Sequence, residues 1–166
     1  ALEELEDVTA DQILYSIGVE LLEGHRTSGI YDLLNRFRQD EVDLPPVPRG
    51  EEDLLGVVYQ YLSPKSDNLK RGSFYTGWEL AREMTEGLTF DNGERIFDPA
   101  CGSGMLLLQS NAGPHQIAGV DNDRTAVMIA KFNFFLKFPD AAYPRIFHAD
   151  FFVCFDRTLG QEMRNF

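Results

Sequence analysis

The stretch Glu94-Arg95-Ile96-Phe97-Asp98-Pro99-Ala100-Cys101-Gly102-Ser103-Gly104-Met105-Leu106-Leu107-Leu108 decides the fold. Residues 94–98 read as a short apolar strand closed by Asp98. Gly102 and Gly104 then allow a tight turn, and a helix is predicted from about 102 to 110. The same unit repeats downstream. Residues 115–121 predict a second strand ending in Asp121. Residues 123–138, with Val127, Ile129, Ala130, Phe132, Phe134 and Phe135, predict a helix. Residues 145–150 predict a third strand ending in Asp150. This β-α-β-α-β alternation implies parallel strands joined by right-handed helical crossovers. Ligands of such sheets bind at the carboxyl ends of the strands, and here every strand finishes there in a carboxylate.

Working back toward the N-terminus, the pattern is helical. Residues 9–23 carry Ile13, Ile17 and Leu21 at helical spacing, with Thr9 or Asp11 as start and Gly24 as stop. Residues 28–39 repeat the pattern with Ile30, Leu33, Leu34 and Phe37. Pro45, Pro46 and Pro48 forbid a helix in the stretch 43–50. Residues 51–63 predict a helix with acidic residues at its positive end. Residues 63–73 form a polar loop with Lys65, Lys70 and Arg71, and 77–88 another helix. The expected organisation is a helical region 1–44, a linker 45–50 and a cofactor-binding domain 51–166.

The chain has 166 residues, with 27 Asp plus Glu against 15 Lys plus Arg, a net charge of −12. A pI near 4.6 opposes a free-standing grip on nucleic acid, which needs Lys and Arg against phosphates. If DNA or RNA is the substrate, other chains or further segments are expected to supply most of the grip. No run of ~18 apolar residues exists to span a membrane, and the acidic start is unlike a secretory signal, so a cytoplasmic setting is the default. Cys101 and Cys154 form no CxxC pair, and His25, His115 and His148 have no metal-ligand spacing. No metal is expected. Cys101 reads as a small filler beneath the turn, and Trp78 as either pocket lining or packing.

The chemistry of the glycine loop narrows the ligand. It lacks the third small residue of a dinucleotide fingerprint, since Leu107 stands there, and it lacks the GK[ST] of a phosphate-cradling loop. Asp98, just before the glycines, repels a pyrophosphate and suits a cation such as the ammonium of an amino acid. Asp121 can accept both hydroxyls of a ribose, the competing role being an N-cap supplied equally by Asn122 or Asp123. Asp150 can accept an adenine amino group beside Phe151 and Phe152, the competing role being an ordinary strand end. Ammonium, ribose and adenine together describe S-adenosylmethionine.

Asp98–Gly104, DPACGSG, resembles the first cofactor motif of the N6-adenine DNA methyltransferases, the group holding type I modification subunits and fused type II restriction-modification enzymes. Ser73-Phe74-Tyr75-Thr76 resembles the segment upstream of that motif, which touches the methionine carboxylate in the family. Gly77 departs from it, since the family usually has Pro. Residues 54–63 resemble the family's lead-in helix. The resemblance covers about residues 51–155. It implies an α/β fold, a partial doubly wound, Rossmann-like methyltransferase sheet with an N-terminal helical extension. It implies a cofactor-binding set of Phe74, Tyr75, Thr76, Asp98, Pro99, Ala100, Gly102, Gly104, Asp121, Asn122, Asp150 and Phe151. It also implies S-adenosylmethionine as methyl donor, DNA as substrate and a specificity subunit as partner.

The family's catalytic tetrapeptide, Asn/Asp-Pro-Pro-Tyr/Phe, does not occur in these residues, so no catalytic residue is assigned. The chain is expected to be the cofactor-binding portion of a longer enzyme, inactive alone. The strand at 94–98 is then expected at a sheet edge, paired with another chain or covered. Two other readings share the sequence: a methyltransferase of RNA, protein or small molecules, and a non-catalytic interaction module that keeps the fold.

Overall fold

A computed structural model describes residues 8–50, 53–63 and 76–154. Helices α1 (Ala10–Leu21) and α2 (Ser28–Arg36) come first, then α3 (Leu54–Leu62) and α4 (Trp78–Thr85). Strand β1 (Ile96–Asp98), helix α5 (Met105–Gln109), β2 (Ile117–Asp121), α6 (Arg124–Lys137), β3 (Arg145–His148) and α7 (Phe151–Cys154) complete the order. The strands form one parallel sheet in the order β1-β2-β3, pairing Asp98 with Gly119 and Asp121 with His148. Among the described residues β1 is an edge, as the sequence implies.

The elements match their sequence signals, with shorter ends. Thr9 caps α1 through a capping box: its hydroxyl accepts from Gln12 N, and Gln12 Oε1 accepts from Thr9 N. Helix α5 starts at 105, three residues later than predicted. Gly102 (φ +52) and Gly104 (φ +85) are left-handed and hold the chain in a turn until Met105. The polar loop at 63–73 lies outside the described residues from 64 onward.

Helix α6 explains why the N-terminal helices are needed. Residues 126–135 are all buried, around the whole circumference of the helix, with Phe132 and Phe135 fully so. A helix that is apolar all round must be covered on every side. β2, β3 and α5 cover part of it, and α1, α2 and α3 the remaining sides. Burying each such Phe contributes roughly 1.5–3 kcal/mol. The approach is close: a Cβ on Gly18 of α1 would lie 2.5 Å from the Phe132 ring, and one on Gly29 of α2 2.7 Å from Phe135. Polar ties add register, with Thr125 Oγ1 donating to Asp11 Oδ1 (2.6 Å) and Thr27 Oγ1 to the Pro139 carbonyl (3.2 Å). The proline-rich stretch runs back along α1, where Leu44 and Val47 pack on the core and Val47 N donates to Glu20 Oε1 (2.9 Å).

Candidate functional site

Parallel pairing brings the carboxyl ends of the three strands to one edge of the sheet. Asp98 lies opposite Gly119, two residues before Asp121, and Asp121 lies opposite His148, two before Asp150. The three carboxylates are therefore staggered along that edge, each about two residues further on.

The turn between β1 and α5 is built on them. Cys101 N donates to the Val120 carbonyl (2.9 Å), and Gly104 N to the Cys101 carbonyl (2.8 Å), which closes the loop. Gly102 N donates to Asp121 Oδ2 (2.8 Å), and Asp123 N to Asp121 Oδ1 (2.8 Å). Asp98 Oδ1 accepts from Ala100 N (2.9 Å), and Oδ2 has no hydrogen-bond partner among the described residues. Burial holds the Asp98 carboxyl above the usual carboxylate range; the Ala100 amide offsets part of this, and the nearby Asp121 charge adds to it. Asp150 Oδ1 accepts from Phe152 N (2.9 Å) and Val153 N (3.3 Å) and so starts α7. Of the two cap candidates for α6, Asp123 is the one used, accepting from Thr125 N (2.9 Å).

These groups surround a cleft of about 330 Å³, within the usual size of small-molecule sites. Thr76, Asp98, Pro99, Ala100, Gly102, Asp121, Asn122, Asp150 and Phe151 of the expected set all line it. Gly104 does not. A Cβ there would stand 3.3 Å from Ala130 Cβ, so Gly104 lets the loop pass close to α6. A Cβ at Gly102 would meet no protein atom within 4 Å, which leaves its space to the cleft. Phe74 and Tyr75 lie outside the described residues. The Phe151 ring leans on Phe97 (centroids 5.8 Å apart), and Phe152 stands 90% exposed at the rim.

Several lining residues stand outside the expected cofactor-binding set, although Gly56 and Tyr59 belong to the stretch that resembles the lead-in helix and Ser103 to the glycine motif. Gly56, Tyr59 and Gln60 of α3 form a wall, and Ser103 sits between the two glycines. The Tyr59 hydroxyl donates to Asp123 Oδ2. Trp78 does not line the cleft; it packs on the core, with the Arg82 guanidinium 5.0 Å from its ring centroid. Gly77 has φ −59, the angle a proline ring imposes, so its departure from the family pattern leaves the start of α4 unchanged. Cys101 is buried, and burial with the Asp121 and Asp98 charges pushes its thiol well up, so it is no nucleophile at neutral pH. His25, His115 and His148 are exposed and stand outside the cleft.

The donor set fits an elongated ligand with a cationic end, a vicinal diol and an amino-bearing ring. It offers three carboxylates, two with an oxygen left over, and an aromatic face. A family model described as N-6 DNA methylase matches residues 50–159, which take in α3, the glycine loop and all three strands. The chain belongs to that family. Curated relatives from Methanocaldococcus jannaschii agree. The methylase subunit of type I restriction enzyme MjaVIII is 28% identical over 151 residues, 84% of this chain and 25% of its own length. That of MjaVII is 28% identical over 109 residues, 59% of this chain and 18% of its own. That of MjaIX is 28% identical over 117 residues, 63% of this chain and 20% of its own. The chain thus spans a quarter or less of the length of each of these relatives. No solved structure matches it.

Proposed function

We propose that this chain is the cofactor-binding part of an S-adenosylmethionine-dependent enzyme that methylates the N6 of adenine in DNA within a restriction-modification system. One observation carries the reading. In a chain of the N-6 DNA methylase family, Asp98 and Asp121 end adjacent strands, and Asp150 follows the end of the third by two residues, around one cleft turned by Gly102. When bound, S-adenosylmethionine supplies an electrophilic methyl on its sulfonium. The protein binds and orients. Asp98 Oδ2 takes the ammonium of the methionine part. Asp121, whose oxygens each keep a lone pair after accepting one amide, takes the ribose hydroxyls. Asp150 takes the adenine amino group while Phe151 covers the ring. Thr76, which lines the cleft, takes part in holding the methionine carboxylate. Such positioning accounts for most of the catalysis expected in a transfer with little acid-base chemistry.

On this reading the three-stranded sheet is part of a doubly wound, Rossmann-like sheet. A further strand or a second copy takes up the β1 edge. DNA contact and target choice belong to other segments and to a specificity subunit, which suits the −12 charge. The setting is cytoplasmic. The test is methylation by the whole reading frame with its partner subunit, using labelled S-adenosylmethionine and duplex DNA. N6-methyladenine on digestion is expected; label in cytosine, or none in DNA, would overturn the reading.

A further inference from the structure

Asp53 is, among the described residues, the only buried carboxylate, at 3% exposure. A charge so placed persists only when paired and hydrogen-bonded. Its Oδ1 accepts from Gly56 N (2.9 Å), capping α3, and from Asn133 Nδ2 (2.7 Å) on α6. Its Oδ2 accepts from Ser103 Oγ (2.9 Å) in the glycine loop. Asn133 Nδ2 also donates to the Ser103 carbonyl (3.2 Å). One carboxylate therefore joins the start of α3, the loop and the middle of α6.

The grip falls where the loop is weakest. Ser103 lies between two left-handed glycines, and glycine has more backbone freedom to lose than any other residue. Holding both the hydroxyl and the carbonyl of Ser103 fixes the hinge between them. The far side of α3 is tied as well, through Tyr59 and Asp123, and α3 forms a cleft wall. Its outer face leaves Val57 half-exposed and Tyr61 91% exposed.

We propose that Asp53 is a positioning residue that couples α3 to the glycine loop, so that the loop takes its ligand-ready shape only when α3 is seated. The ligand part of this rests on the cofactor reading above; the coupling itself does not.

Hydrogen exchange on the ligand-free chain tests the coupling. In Asp53→Asn, which keeps the shape but turns one acceptor into a donor, amides 102–104 and 56–60 are expected to exchange at least tenfold faster, with α1 unchanged. A uniform rise over the whole chain, or no rise at the loop, would overturn the proposal. Ser103→Ala is the second variant, since it breaks only the loop link and leaves the α3 cap. Faster exchange at 102–104 is expected there too, and an unchanged loop would overturn it. With S-adenosylmethionine added, the wild-type chain should slow exchange in the loop and α3 together. In Asp53→Asn it should slow the loop alone and bind about tenfold more weakly, and α3 slowing in step with the loop in that variant would overturn the coupling. If the wild-type chain shows no cofactor protection at all, the cofactor reading fails, and the ligand-free exchange still decides on Asp53.

Discussion

Gly102 N donates to Asp121 Oδ2 at 2.8 Å, so the turn after β1 is bonded to the carboxylate that ends β2. Asp121 thus has two duties, shaping the loop and offering its remaining lone pairs to the cleft. An ordinary strand-end aspartate has neither.

Substituting Asp121 separates these duties. Asp121→Ala leaves the Gly102 and Asp123 amides without their acceptor, a loss of about 1–3 kcal/mol for each group left unsatisfied. Asp121→Asn keeps one acceptor and should lose less stability in urea unfolding. Both variants should lose at least tenfold in cofactor affinity. Equal stability of Ala and wild type would show that the loop does not depend on Asp121.

The glycine in the middle of β2 is a packing requirement. A Cβ on Gly119 would lie 2.9 Å from both Cys101 Cβ and Leu107 Cδ1. Gly119→Ala should therefore lower stability by about 1–3 kcal/mol through overpacking. Gly119→Ala combined with Cys101→Gly, which removes the opposing side chain, should recover part of that. A melting temperature unchanged in the single variant would contradict the close approach.

Lys131 gives the fold a pH signature. Its ammonium is buried, donates to Tyr143 Oη (3.1 Å) and sits 5.6 Å from the Phe37 ring centroid. Burial, with Arg36 adding to it and Cys101 opposing, lowers its pKa from 10.5 to about 8. Below pH 8 the folded state carries the full penalty of a buried ammonium. Between pH 8 and 10.5 it releases a proton that the unfolded chain still holds, so stability rises with pH. Burial raises the Tyr143 pKa from 10.0 to about 12, so from pH 10 its contribution falls. The Cys101 thiol, also pushed up by burial, withdraws stability in the same way from about pH 9, so the rise that starts at pH 8 should level off near pH 9 and turn down above pH 10, on the order of 1–2 kcal/mol. Denaturant unfolding of Lys131→Met should show that rise abolished; a persisting rise would assign it elsewhere.

Much of this was legible in the sequence because the signals are local. The strand-glycine-helix run at 94–108 and the three strand-end aspartates place the sheet edge without any knowledge of packing. The start of α5 is not legible in the sequence, because Gly102 and Gly104 serve as turn residues while the run from 102 to 110 reads as one helix. Asp53 was visible only as an acid near a helix start. Its partners Ser103 and Asn133 are 50 and 80 residues away, and no periodicity links them. Tyr59 belongs to the stretch that resembles the lead-in helix, but its place on the cleft wall is not legible there, for the same reason. The amphipathic spacing of α3 says which face is apolar, not that its polar edge meets the glycine loop. The role of α1 and α2 as cover for α6 follows from residues 126–135 being apolar on nearly every side, with only Lys131 and Asn133 polar, a pattern that asks for cover without saying which segment provides it.

The central claim is that the cleft between Asp98, Asp121 and Asp150 binds S-adenosylmethionine. Calorimetric titration of the folded chain tests it directly. One-to-one binding is predicted, weakened at least tenfold, about 1.4 kcal/mol, by Asp121→Asn. The melting temperature of the wild-type chain should rise with cofactor concentration. A well-folded chain that gives neither heat nor a melting shift, or an Asp121→Asn variant that binds as tightly as the wild type, would contradict it.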